Sequence, residues 1–419
     1  MPENGHWNWE PGERVIHEVK DCDAEVSWLE ELHASPDGEQ VAVVAKLEEG
    51  YGVCVNGKLW EQTFDRAWYP KFSPDGRLTA LVNVDGEWTL AVDGEVWPET
   101  YTCLWNTLFS ETGDTIAACA QADGVYGMVV NGEIWEQLYD TANEFNLSSD
   151  GKRSAAVVVM VSMGQAEIFT YQKGCYSVAV NGEAWDNRFV NAWTPVFDPS
   201  DKRLAVQTRS TLYDYTIVVD GKPWSQNFSA TWEPRFNPST GAVVAPVRQA
   251  GKWGMAEDGR ILWDPTFYQL WHQAFSPDGK KLYAIGAPKY GRWTLVENGS
   301  PWPLTVGDMV EDLTVSPDGA RVAAAAKEGG RWTFMVDQSL WNSWYEMIWS
   351  PVFSPDSKHL AAKVELPGKR YTVVMNGKPL KETFEQCWEP VFSPDSRSVL
   401  IRAVQDGKFK RIVAGVHDF

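Results

Sequence analysis

Cysteine is scarce in this chain and nowhere clustered. The six residues Cys22, Cys54, Cys103, Cys119, Cys175 and Cys387 form no Cys-x-x-Cys pair. That excludes a cysteine-held zinc, iron–sulfur or c-type haem site and suits a reducing compartment. Histidine is equally sparse: six residues, none closely spaced with another, and no His-Glu-x-x-His, Gly-x-Ser-x-Gly or phosphate-loop pattern. Long hydrophobic runs are missing. The longest, from Ala155 to Val161, is far too short to span a bilayer. The polar start, Met1-Pro2-Glu3-Asn4-Gly5-His6, lacks the apolar core of a signal peptide, so a cytoplasmic location is expected. Basic residues are outnumbered, 37 against 57 acidic, for a net charge of −20. This argues against nucleic acid and favours basic partners, or serves solubility alone.

Turns, in contrast, recur on a strict schedule. The series opens Ser35-Pro36-Asp37-Gly38, Ser73-Pro74-Asp75-Gly76, Ser110-Glu111-Thr112-Gly113 and Ser148-Ser149-Asp150-Gly151. It continues from Asp198, Asn237, Ser276, Ser316, Ser354 and Ser393, ten anchors separated by 37 to 40 residues except for one gap of 50. A second turn follows each of the first nine: Asn56-Gly57, Asp93-Gly94, Asn131-Gly132, Asn181-Gly182, Asp220-Gly221, Asp258-Gly259, Asn298-Gly299 and Asn376-Gly377, with Asp337-Gln338 deviating. Asn-Gly between apolar runs marks a tight hairpin, because a type I′ turn needs positive φ twice. Ser-Pro-Asp-Gly suits a type I turn. Each repeat therefore reads as strands a, b, c and d with tight a–b and c–d turns. Four antiparallel strands in about 40 residues is the pattern of a β-propeller blade.

Aromatic residues follow the same period. An aromatic opens strand c in all ten repeats, from Tyr51 and Trp88 to Phe409. Tryptophan opens strand d at 60, 97, 135, 185, 224, 263, 302 and 341, with Leu380 in the ninth. Strand a carries Trp68, Trp105, Trp193, Trp232, Trp271, Trp349 and Trp388, five residues before each turn. The even spacing of Trp60, Phe64, Trp68 and Phe72 places all four on one face of extended strands. Nineteen of the 23 tryptophans are thereby assigned to packing between blades. An electron-hopping relay or an aromatic ligand site is the alternative.

The chain ends complement each other. Residues 14–19 read as an orphan strand d, and the last repeat stops after its strand c near residues 409–414. The expectation is an all-β, ten-repeat propeller in a ring closed by pairing of the N- and C-terminal strands. Residues 1–34 complete the last blade and 35–419 form one propeller domain; two smaller propellers are the alternative.

Function is sought where the repeat breaks. The fourth repeat carries about a dozen extra residues in its b–c connection, including Met163, Phe169 and Tyr171. Trp344 stands outside the periodic set, as do Trp7 and Trp9 at the N-terminal tip. These six residues are the candidate partner contacts, since exposed aromatics concentrate binding energy. No catalytic, cofactor-binding or metal-ligating residue is identified, so a non-enzyme is expected.

The phrases Phe72-Ser73-Pro74-Asp75-Gly76-Arg77-Leu78 and Phe275-Ser276-Pro277-Asp278-Gly279-Lys280-Lys281-Leu282 resemble the Pro-Asp repeat of WD40-like propellers of the TolB type. The resemblance covers nearly the whole chain. The tryptophan-rich form, Val130-Asn131-Gly132-Glu133-Ile134-Trp135, is similar to the TmcD family, the tryptophan-rich cytoplasmic subunits of Tmc transmembrane electron-transfer complexes. That resemblance implies a subunit without its own cofactor, peripheral to the inner membrane. It also implies three partners: a cytoplasmic iron–sulfur protein, a membrane cytochrome b and a multihaem cytochrome.

Overall fold

The protein is all-β, a ten-blade β-propeller of four-stranded antiparallel sheets. A computed structural model describes residues 4–162, 164 and 167–419. Blade 1 comprises Trp28–Ala34, Val41–Lys46, Tyr51–Val55 and Lys58–Leu59 as strands a to d. The first strands of blades 2 to 9 begin at Arg66, Cys103, Ala142, Asn191, Ala230, Gln269, Met309 and Met347. Blade 10 joins the chain ends: Gly12–Glu18 pairs with Lys408–Gly415, which lies beside Ser398–Gln405, with Gln386–Cys387 at the far side. Arg14 lies opposite Arg411 and His17 opposite Phe409, in the strand pairing expected of the two partial repeats.

The repeated turns are locked by their own polar atoms. In blade 1 the Ser35 hydroxyl donates to Asp37 and accepts from the Gln40 amide, while the Gly38 amide closes the turn on Ser35 O at 3.0 Å. The c–d turn then docks on the a–b turn. Asn56 Oδ1 accepts from the Val41 amide at 2.8 Å, and the same bond recurs from Leu78–Asp93 to Leu360–Asn376. These bonds hold both tight turns at one end of the sheets of blades 1 to 9. At the other end the aromatic opening strand c bonds the d–a connection: Tyr51 and Phe64 exchange both backbone hydrogen bonds, at 2.7 and 2.8 Å. The b–c and d–a connections thus share the opposite end. At the deviant turn Asp337 and Gln338 both take positive φ, 45° and 67°, so the geometry survives without glycine.

Two compact units divide the chain. One takes in Met1–Ser162, Ser177–Trp185 and Leu400–Val413; the other takes in Met163–Tyr176, Asp186–Val399 and Ala414–Phe419. Within each, apolar clusters fill the space between consecutive blades. Phe64, Leu78 and Val82 meet Val44 and Val53 in the first unit, and Ile285 and Leu295 meet Val310 and Met335 in the second.

The structure corrects the expected single aromatic face. Trp68 pairs with Leu81 but Phe72 with Leu78, so residues 68–72 of strand a oppose only residues 78–81 of strand b. This β-bulge turns the two rings to opposite sides of the blade. Phe72 joins Trp60 and Phe64 against blade 1, whereas Trp68 stacks on Trp88 across strand b, 4.2 Å between centroids.

The fourth-repeat insertion also differs from a plain loop. Ile168–Gln172 form one helical turn, ended by Gly174 at φ 91°. A Cβ at Gly174 would come within 3.0 Å of the Phe189 backbone, so only glycine fits this C-terminus.

Candidate docking surface and inner-strand cavity

The b–c and d–a connections of the second unit carry a set of exposed aromatics. Phe169 is 75% exposed beside Ile168; Tyr171 is half-buried, and Met163 lies outside the described residues. Tyr213, 81% exposed, crowns the b–c loop of blade 5. That loop is fixed by Thr211, whose hydroxyl donates to Asp214 at 2.7 Å and accepts from the Tyr213 and Asp214 amides. Tyr290, 87% exposed, tips the b–c hairpin of blade 7 and meets Tyr268 edge-on at 6.2 Å. Tyr213, Tyr268 and Tyr290 were missed from sequence, although subtracting the periodic aromatics from the chain isolates them.

The other sequence candidates are more enclosed. Trp7 and Trp9 stack on each other, with centroids 6.0 Å apart, in the first unit. The Trp9 indole donates to Asn4 O, and Arg411 donates to Asn8 O between them. Trp344, half-buried, precedes Tyr345 in the connection from blade 8 to blade 9, and its carbonyl accepts from Arg331. Of the described candidates, Phe169, Tyr171 and Trp344 lie in the second unit and Trp7 and Trp9 in the first.

A second feature recurs on strand a. Seven blades hold a non-glycine residue at positive φ in the bulge: Glu31, Tyr69, Asn106, Glu144, Thr194, His272 and Asp312. Such a conformation costs on the order of 1 kcal/mol or more each time. At the equivalent Glu233 in blade 6, strand a is interrupted, splitting into Ala230–Thr231 and Arg235–Phe236.

In the second unit these bulges border a cavity of about 560 Å³ lined by Arg235, His272, Gln273, Glu311 and Asp312. Glu233 Oε1 lies 3.3 Å from His272 Nδ1, in a charge contact without hydrogen-bond alignment. Burial works to raise the Glu233 carboxyl, yet the contact with His272 brings it below its usual range. The contact with Glu233 raises His272 against the opposing effect of burial. Burial, then the neighbouring Asp312, raises Glu311. In the first unit a cavity of about 480 Å³ lies against Glu31, Trp68, Tyr69, Trp105 and Asn106.

Among the described residues, no group of three or more His, Cys, Asp or Glu side chains could hold a metal ion. Burial pushes the Cys119 thiol up to about 12, so it carries no thiolate at neutral pH.

No family model matches the sequence, and no curated protein matches it. Solved structures match this chain at low identity. A eukaryotic initiation factor structure is 12% identical, with a TM-score of 0.45, covering 92% of this chain and 93% of its own. TolB from Acinetobacter baumannii is 13% identical, with a TM-score of 0.30, over 62% of this chain and 63% of its own. The Cps50 (Swd1) β-propeller domain of Myceliophteria_thermophila is 10% identical, with a TM-score of 0.33, over 65% and 96%. The class, a ten-blade β-propeller, rests on the chain's own sheets. These likenesses assign no partner or activity to the chain.

Proposed function

We propose that this chain is a non-catalytic propeller subunit of a membrane-associated electron-transfer complex, docking on a cytoplasmic iron–sulfur protein. The observation that carries the docking is the exposure of Phe169, Tyr213 and Tyr290 on connections of one unit. The repeat aromatics are largely taken up in the blades, whereas these three stand off the period and uncovered. Exposed aromatic anchors on loops held by rigid sheets are what a protein interface needs. The net charge of −20 favours a partner with a basic contact surface. The partner class follows from the TmcD resemblance of the Val-Asn-Gly-x-x-Trp repeats. No described helix is long and apolar enough to cross a membrane, so attachment would run through cytochrome b and multihaem cytochrome subunits.

Purification of the tagged chain from native membranes tests this reading. The expected result is stoichiometric recovery of a protein with iron–sulfur absorbance, weakened by salt. Recovery of the chain alone from intact membranes contradicts it.

A second reading, a stand-alone carbohydrate-binding propeller, is favoured by the exposed Trp68 and Tyr69 rings beside Glu31 and Asn106 in the first-unit cavity. Glycan binding quenched by Trp68→Ala would support it.

A further inference from the structure

The cavity in the second unit has a chemistry that docking does not use. Gln273 is 3% exposed and lines it from the first strand of blade 7. Its Nε2 donates to Glu233 O at 2.5 Å, which fixes the amide orientation, because a flipped amide would set two oxygens together. Gln273 Oε1 is then a buried acceptor with no donor. Leaving such a group unpaired costs about 1–3 kcal/mol, which a bound donor would recover.

The cavity walls on either side carry opposite charges. Arg235, on the first strand of blade 6, is exposed and has no ion-pair partner among the described residues. Glu311 and Asp312, on the first strand of blade 8, present two carboxylates. Asp312 is held in the bulge at φ 55°, where a non-glycine residue is strained. The volume of about 560 Å³ falls within the roughly 300–1,000 Å³ of small-molecule sites.

We propose that this cavity binds a short zwitterionic peptide. Its carboxylate pairs with Arg235, its ammonium with Asp312 and Glu311, and a backbone N–H in between donates to Gln273 Oε1. The charged walls belong to blades separated by a third. A peptide supplies the internal donor that a free amino acid lacks.

Calorimetry of the full chain with L-alanyl-L-alanine, its N-acetyl derivative, its C-terminal amide and free L-alanine tests the site. The dipeptide is expected to bind, with each blocked form and L-alanine at least tenfold weaker. Arg235→Gln should erase the preference over the amide, and Asp312→Asn the preference over the N-acetyl form. Circular dichroism melting checks that both variants keep the wild-type Tm. Equal binding of the three dipeptide forms, equal or tighter binding of L-alanine, no binding at millimolar concentration, or folded variants with unchanged preferences would each overturn the proposal.

Discussion

The Trp263 indole lies directly against the backbone of Gly299, the second residue of the next blade's c–d turn. A Cβ on Gly299 would sit 3.2 Å from Trp263 Cγ and Cδ1, and Gly299 holds φ 83°. Trp60 meets Gly94, Trp135 meets Gly182 and Trp224 meets Gly259 in the same way, at 3.4, 3.2 and 3.1 Å. The strand-d tryptophans and the turn glycines are therefore one device: each ring fills the space that a side chain on the following turn would occupy. At blade 1, where strand d of blade 10 supplies no tryptophan, His17 fills that place over Gly57.

Gly299→Ala combines a strained φ with a crowded Cβ and is expected to destabilise by about 1–3 kcal/mol. Trp263→Ala, which opens a cavity at a 7% exposed ring, should cost about 3–5 kcal/mol. Urea unfolding of both variants measures this. The double variant should lose less than the sum, because without the indole the new methyl group has room.

Arg411 is the polar counterpart where the chain ends meet. At 2% side-chain exposure it pairs with Glu39 at 3.0 Å and donates to Asp37 O at 2.8 Å, clamping the Pro-Asp turn of blade 1. Arg411→Met leaves the Asp37 and Asn8 carbonyls without this donor, while Glu39 keeps its pair with Arg14. The expected loss is about 2–3 kcal/mol, below the value for a fully buried pair because Glu39 is partly exposed. Chemical denaturation reads the loss directly.

Much of this architecture is legible in the sequence. Pro-Asp and Asn-Gly turns fix the strand count, and the partial repeats point to the pairing of residues 14–19 with the strand near 409–414. The bulges are not legible. Trp68 and Phe72 are evenly spaced, and only the backbone at Tyr69, with φ 53°, shows that the strand gains a residue between them. The site was half legible. Phe169 announced itself as an insertion, whereas Tyr213 and Tyr290 lie in connections of ordinary length and stand out only once the period is removed. Gln273 and Arg235 carried no signal, because only the meeting of three blades brings them to one cavity.

The turn aspartates predict an acid limb of stability. The Ser276 hydroxyl, followed by the Lys280 amide, holds the Asp278 carboxyl at about 2, below its ordinary 3.8. Ser354 similarly holds Asp356 at about 2. Because the folded value is depressed, this stability is present above pH 3.8 and is lost as pH falls toward 2. The stability difference between wild type and Asp278→Asn should be largest near pH 5 and shrink steadily below pH 4, followed by urea midpoints.

The Glu233–His272 pair works in the opposite direction at its basic end. His272 is raised above 6.5, so its contribution is full below that pH and is lost as pH rises through the folded value. Glu233 is lowered below 4.5, so its share is lost as pH falls through that carboxyl's folded value. His272→Gln should therefore cost most between pH 4.5 and 6.5 and least at pH 9. With the imidazole 62% exposed, the maximum is about 0.5 kcal/mol. Urea midpoints at pH 5.5 and 9 measure the difference.

The docking account stands or falls on one comparison. The variant Phe169→Ser, Tyr213→Ser, Tyr290→Ser changes three exposed rings and no blade core, so its Tm should stay within a few degrees of wild type. Its affinity for the co-purified iron–sulfur partner, measured by titration calorimetry at fixed salt, should fall by about 2 kcal/mol or more, roughly 30-fold. Wild-type affinity in the folded triple variant would contradict the assignment of these loops as the docking surface.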